Sequence, residues 1–233
     1  MGKLHLKRLN APKTWPIERK STKWISRPRP GSQQMHRTLS INTIIKEILK
    51  IASTSKEVKV ILNKGLIKVD GIVRKDPNFP VSILDVISIL DDNYRLLINT
   101  KSKLFLHPIK KNDASIKPKK IIGKKILKGN KIQINFMDGN NILSKDKKLK
   151  VSDTIIYENN KEKVNLKFEK GALIYLVEGK QVGRIGIIKE IQLQKGSQPS
   201  KILFQLGKED HATLKDYAIV IGKTKPMVDL PNE

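Results

Sequence analysis

Residues 54–90 read TSKEVKVILNKGLIKVDGIVRKDPNFPVSILDVISIL. Thr54 followed three residues later by Glu57 has the spacing of a capping box, and predicts a helix whose buried side is Val58, Ile61 and Leu62. Gly65 suits the left-handed cap that ends it. Ile67-Lys68-Val69, then Asp70-Gly71, then Ile72-Val73-Arg74 predict two short strands joined by a two-residue type I′ turn, because Asp and Gly tolerate the positive φ angles that turn needs. Asp85–Leu90, DVISIL, reads as a further strand. Upstream, Ile41, Ile44, Ile45, Ile48 and Leu49 recur at i, i+3, i+4, i+7 and i+8, one apolar stripe of an amphipathic helix with Lys46 and Lys50 facing outward. Lys56, Lys59, Lys64, Lys68 and Arg74 thus ride on rigid elements near one another, as a phosphate-gripping face requires. A charge run is ordinarily a solvated face. Here the cations are spaced over helix and hairpin instead, which points to binding.

The whole chain agrees with that reading. Its 47 Lys+Arg against 22 Asp+Glu leave a formal charge of +25 on 233 residues. Such an excess repels itself in a compact fold unless a polyanion neutralises it, and nucleic acid or an anionic membrane surface could do so. No run of 18 or more apolar residues and no signal peptide are found, so a soluble, intracellular chain is expected. The absence of cysteine removes disulfides, thiolate metal sites and a cysteine nucleophile. With 38% hydrophobic and 5% aromatic residues, the core is expected to be aliphatic and divided among small domains rather than gathered into one enzyme core.

Residues 1–40 carry ten Lys/Arg against the single acid Glu18, with Pro12, Pro16, Pro28 and Pro30 and no periodicity. They read as an extended basic arm that cannot fold alone. Its candidate RNA contacts are Lys7, Arg8, Lys13, Arg19, Lys20, Lys23, Arg27 and Arg29. Trp15 and Trp24 also lie in it, either docked into the chain's own domains or stacked on bases.

The two helices, the Gly65 cap, the VDG hairpin, the Pro80 turn and the DVISI strand resemble the small RNA-binding motif named after bacterial ribosomal protein S4. The opening MGKLHLKRLNAPKTWPIERKSTKW and the run KVDGIVRKDPNFPVSILDVISI resemble, more narrowly, the archaeal and eukaryotic e-type small-subunit ribosomal protein S4 family (S4e), over nearly the whole chain. That resemblance implies a structural constituent of the small subunit, with rRNA and neighbouring small-subunit proteins as partners and a cytoplasmic, ribosomal location.

Beyond residue 92 the signals are weaker. Lys101–Lys128 holds ten lysines and one acid, Asp113, interrupted by Pro108 and Pro118. Short β-prone runs at 131–136, 154–157 and 164–168 follow, separated by Asp138-Gly139-Asn140 and Glu158-Asn159-Asn160 turns. A small β domain is expected, and the family implies one. VEGKQVGRIGIIKEIQLQ, Val177–Gln194, follows the strand-like Ala172–Val177 and leads into another strand. Gly179, Gly183 and Gly186 permit a sharp turn with backbone close to a ligand, while Lys180 and Arg184 leave the loop. The segment resembles the KOW motif of an SH3-like barrel, although a tight hairpin alone would look the same. Residues 223–233 read as a coil docking on a neighbour.

The expected fold class is α+β, mostly β: an arm at 1–40, an S4-like domain at 41–92, a central β domain at 93–170 and a KOW/SH3-like domain with the tail at 171–233. Catalysis is not expected. His5, His36, His107 and His211 are scattered without metal-ligand spacing, and no nucleophile motif accompanies His211 and its neighbour Asp210. A pseudouridine synthase, which often opens with the same RNA-binding motif, would need a large catalytic domain with an Arg-Leu-Asp segment that this chain lacks. No metal, cofactor, membrane or small-molecule substrate is expected. The alternative reading is a KOW-containing transcription elongation factor or a free RNA-binding regulator.

Overall fold

The computed structural model describes residues 5–144, 148–159, 161–194, 198–207 and 209–231. Residues 1–4 of the basic N-terminal stretch, Asn160 of an expected turn and residues 232–233 of the tail lie outside the described residues. The chain is mostly β with few helices, and forms two compact units: Met1–Leu97 with Lys103–Ala114, and Ile98–Ser102 with Ser115–Glu233.

In the first unit β1 (Thr38–Ser40) leads into α1 (Ile41–Thr43), which Ser40 caps by accepting from the Thr43 amide. The apolar stripe then continues as a π-helix over Ile44–Ile48, with the Leu49 amide reaching back five residues to the Ile44 carbonyl. The expected single α-helix is therefore widened after its first turn. Ile41, Ile44 and Ile45 stay buried, while Ile48 and Leu49 are only half-buried. α2 (Ser55–Asn63) has the full capping box, with Glu57 N–H donating to Thr54 Oγ1 and the Glu57 carboxylate accepting from the Thr54 amide. Val58 and Leu62 are its buried face and Ile61 lies at the margin.

β2 (Ile67–Val69) and β3 (Ile72–Val73) form the two-residue hairpin, with Asp70 at φ 50° and Gly71 at φ 78°, as a type I′ turn requires. Pro80 does not form a turn but opens β4 (Pro80–Ser82), which pairs with β1; the first residue of a strand tolerates proline because its missing N–H need not enter the ladder. β5 (Val86–Ile89), β6 (Asp92–Ile98) and β7 (Leu104–Ile109) complete an antiparallel sheet in the order β3-β2-β5-β6-β7, and α3 (Lys111–Ala114) follows.

The second unit opens with the long strand β8 (Ile116–Ile126), followed by β9 (Ile132–Phe136), β10 (Asn141–Ser144), β11 (Thr154–Glu158) and β12 (Lys161–Leu166), in the order β10-β9-β8-β11-β12. The first half of β8 pairs with β11 and the second half with β9, across a bulge between Ile121 and Gly123. Pro118 sits in the half paired on one side only, which is how proline enters a strand. Ile121, Ile132, Ile134, Phe136, Leu149, Ile155 and Tyr157 form the core beneath.

The same unit contains β13 (Leu173–Leu176), β14 (Ile185–Gln192), β15 (Lys201–Leu206), β16 (Glu209–Leu214) and β17 (Ala218–Gly222), ordered β16-β15-β14-β13-β17. β17 is buried along its whole length. The tail turns back on its own unit through the Met227 amide on the Ile221 carbonyl, and Val228 and Leu230 are buried. Of the tail's three apolar side chains, Val228 and Leu230 thus find a seat within the chain and Met227 is half-buried.

Gly179 and Gly183 have φ 93° and 82° in the turn, whereas Gly186 lies inside β14. The close approach anticipated for a ligand is made by the chain itself. A Cβ at Gly183 would lie 2.5 Å from the Asn99 carbonyl carbon and 2.8 Å from the Ile98 oxygen, and one at Gly186 would lie 2.7 Å from the Phe204 ring. The hydroxyl of Tyr175 donates to the Ile98 carbonyl at 2.8 Å and accepts from the Ile98 amide at 3.1 Å, so residues 98–102 are held from two sides. Gly183→Ala adds steric conflict with backbone to left-handed strain and is expected to cost about 2 to 4 kcal/mol. Gly171→Ala, at φ 86° with nothing near its Cβ, should cost only about 1 to 2 kcal/mol. Urea unfolding of the two variants beside the parent measures the difference; equal losses would remove the close-approach argument.

Candidate nucleic-acid interface

Helical periodicity turns Val58 and Leu62 of α2 inward and leaves Lys56, Lys59 and Lys64 exposed. In β2 the period is two, so Ile67 and Val69 are buried and Lys68 between them is exposed. Gly65 brings the two elements together, with a Cβ there lying 3.6 Å from the Val73 side chain. Arg74 is half-buried, its guanidinium 4.3 Å from the Phe79 ring centroid, a cation–π contact that fixes its direction.

The nearby carboxylates keep their charge, but their oxygens are directed to backbone amides, a hydroxyl and Arg29 rather than to the lysines of this face. Hydrogen bonds from the Ser53 amide, then from the Thr54 hydroxyl and amide, hold the exposed Glu57 carboxyl below its ordinary range. Asp70 accepts from the Val86 amide at 3.0 Å, and Asp76 pairs with Arg29 at 2.5 Å and accepts from the Asn78 amide. Lys56, Lys59, Lys64 and Lys68 make no ion pair among the described residues.

Residues 5–40 are not a free extended arm. The Arg8 amide bonds the Lys23 carbonyl and the Ile25 amide the Leu6 carbonyl, closing the segment on itself. Trp15 is fully buried with its indole N–H on the Met35 carbonyl, so of its two proposed roles it takes docking. Arg8 is also corrected as an RNA contact. It is 2% exposed, and its guanidinium donates to both carboxylate oxygens of Glu47, at 2.8 and 3.2 Å, and to Thr22 Oγ1. Arg19 donates to the carbonyls of Leu9, Ala11 and Pro12. Both arginines organise the arm. Lys7, Lys13, Lys20, Lys23 and, half-exposed, Trp24 remain at the surface, and Arg27 is half-buried.

The Lys101–Lys128 block divides in the same manner. Lys117 and Lys119 reach Asp138 at 3.6 and 3.5 Å, and Lys119 also lies 4.5 Å from the Tyr157 ring centroid. Burial works to raise the Asp138 carboxyl, but Lys117, the Asn140 amide and Lys119 together hold it below its ordinary range. Burial also pushes the Tyr157 phenol up, with the Glu162 carboxylate adding to the effect. Lys120 is buried with its ammonium on the Asp216 carbonyl at 2.8 Å, and Lys124 donates to the Leu149 carbonyl. Lys119 and Lys120 are consecutive, on opposite faces of β8, and both are engaged, while Lys124 and Lys125 are exposed, so strand alternation does not separate the internal lysines from the surface ones. On the glycine-containing turn Lys180 is exposed and Arg184 half-buried.

A compact frame that presents unpaired cations on a capped helix and hairpin defines an RNA-binding protein of the S4-domain class, and residues 42–87 match the S4 domain model. Residues 1–36 match the RS4NT domain and residues 90–164 the Ribosomal family S4e. The chain is 38% identical over 228 residues to small ribosomal subunit protein eS4 of Methanocella arvoryzae, spanning 96% of each chain, and 39% identical over 237 residues to that of Archaeoglobus fulgidus, spanning 99% of each. Its fold is similar to the crystal structure of 30S ribosomal protein S4e from Thermoplasma acidophilum, with a TM-score of 0.72 and 32% identity over 81% of this chain and 96% of that one. The chain belongs to the S4e family of small ribosomal subunit proteins.

The Arg8–Glu47 pair can be tested directly. The Arg8 hydrogen bond, outweighing burial, holds the Glu47 carboxyl below its ordinary 4.5. Its stabilisation is therefore complete above that value and is lost as pH falls through the lower folded-state value. Glu47→Gln leaves the buried guanidinium short of its counter-charge and should cost about 2 to 4 kcal/mol at pH 7, somewhat under a fully buried pair because one face of Glu47 meets solvent. Unfolding midpoints between pH 7 and pH 3 should fall less steeply in the variant than in the parent.

Proposed function

We propose that this chain is a structural constituent of the small ribosomal subunit that binds and organises rRNA through backbone charge and shape, and so supports translation. The observation that carries the reading is the group of four exposed, carboxylate-free lysines on α2 and β2, in a chain whose relatives of nearly equal length are named small ribosomal subunit protein eS4. Phosphate contacts from Lys56, Lys59, Lys64 and Lys68 position RNA without reading bases. The exposed lysines of residues 7–23 extend the contact, and Lys180 and Arg184 would serve from the glycine-containing turn. In this reading residues 41–92 act as the S4-like module, residues 93–170 as a central β module and residues 171–233 as a KOW-type, SH3-like module, with neighbouring small-subunit proteins as further partners. Several weak modules on one chain raise one another's effective concentration, so avidity replaces a single tight site. The family is one of structural proteins, and this reading assigns no catalytic residue.

Sedimentation of the tagged chain from native lysate through a high-salt sucrose gradient tests the assignment. Comigration with the small subunit supports it; a position at the top of the gradient or with polymerase sinks it. For purified chain and an rRNA fragment, log affinity should fall linearly with log salt, by about 0.7 to 0.9 per phosphate neutralised. Replacing Lys56, Lys59, Lys64 and Lys68 together by Ala should reduce that slope by about 3 while leaving the melting temperature in place. An unchanged slope would remove α2 and β2 from the interface.

A further inference from the structure

The two tryptophans of the basic arm have separate fates. Trp15 is sealed in the core, but Trp24 is half-exposed and its indole N–H has no partner among the described residues. It forms one wall of a cleft of about 310 Å³ within the first unit. The start of the first helix and the loop before β4 also line it. Asn42, Asn78, Lys46 and Arg27 are among its lining residues. The carboxylate in the wall, Glu47, is engaged by Arg8, so it does not oppose an anion. The Asn42 amide nitrogen donates to Ser26 Oγ and to Ser55 Oγ, while its buried Oδ1 has no hydrogen-bond donor.

A half-exposed indole sharing one cleft with amide and cationic residues is the equipment by which proteins hold an unpaired nucleotide: the ring stacks, the amides meet the base edge and the cation takes the phosphate. The volume lies at the low end for small-ligand sites, which range over about 300 to 1,000 Å³, and so fits one nucleotide rather than a duplex. Polar walls give little purchase to the side chains of an apolar peptide. Lys23, 5.3 Å from the Trp24 ring centroid, and the tilted His5 ring at 5.7 Å are exposed and would be the groups a stacked base displaces.

We infer that this cleft is a receptor for a single unstacked RNA nucleotide, with its base on Trp24, its edge toward Asn42 and Asn78, and its phosphate at Lys46. The inference rests on the RNA-binding reading and deepens it, because it adds a base contact to a surface otherwise limited to phosphates. The test uses the full chain and three fluorescently labelled probes of equal charge: a short single-stranded RNA, the same backbone made abasic, and a duplex. The single strand is expected to bind more tightly than its abasic counterpart. Trp24→Ala should lower single-strand affinity by about 5- to 100-fold, the range that base–aromatic stacking supplies, and leave abasic and duplex binding unchanged. Trp24→Phe should restore most of the loss, with unchanged circular dichroism and melting confirming that both variants fold. Equal binding of single-stranded and abasic probes by the parent, or an equal loss for all three probes in Trp24→Ala, would overturn the receptor while leaving phosphate-based RNA binding intact. Failure of all three probes to bind would remove the RNA-binding reading as well. In assembled subunits, an ultraviolet cross-link from Trp24 to a base supports the inference, and a cross-link from Trp24 to a peptide overturns it.

Discussion

A chain with 47 basic and 22 acidic side chains must keep its cations apart or neutralise them before it can be compact, and this constraint orders the whole structure. The solution is a division of labour. Arg8, Arg19, Lys117, Lys119 and Lys120 turn inward, where Glu47, Asp138 and backbone carbonyls receive them. Of the cations that remain outside, Lys56, Lys59, Lys64 and Lys68 on α2 and β2 have no ion-pair partner among the described residues and so stand open to a phosphate.

The internal cations also do what a large apolar core does elsewhere. Each unit is small and its buried residues are mainly Ile, Leu and Val, so few side chains are long enough to tie distant segments together. Arg8 fastens the arm to the π-helical turn, and Lys120 fastens β8 to the carbonyl of Asp216 just before β17. Such contacts are directional, which gives each segment a fixed place rather than a choice of hydrophobic seats. The widening of the first helix over Ile44–Ile48 accompanies the exposure of Glu47 to Arg8; a hydrogen-bond register shifted by one residue re-aims the side chains that follow.

What the residue order determined by itself is the local geometry wherever neighbours along the chain fix the backbone. Thr54 and Glu57 cap their own helix, Asp70 and Gly71 make their own turn, and alternation in Ile67–Val69 decides that Lys68 faces out. Those short-range rules were enough to delimit the lysine face and the S4-like frame around it. The tertiary structure alone decided which of the remaining cations are interior and which tryptophan is sealed. Arg8 and Arg27, or Trp15 and Trp24, differ in nothing that local propensity can register. Their fates depend on Glu47, Met35 and Asn42, at 39, 20 and 18 residues' remove. The tail and the glycine-containing turn follow the same logic: residues 98–102 meet Gly183 and Tyr175 only after folding, because a close approach between segments so far apart in sequence is a property of packing and leaves no periodic trace.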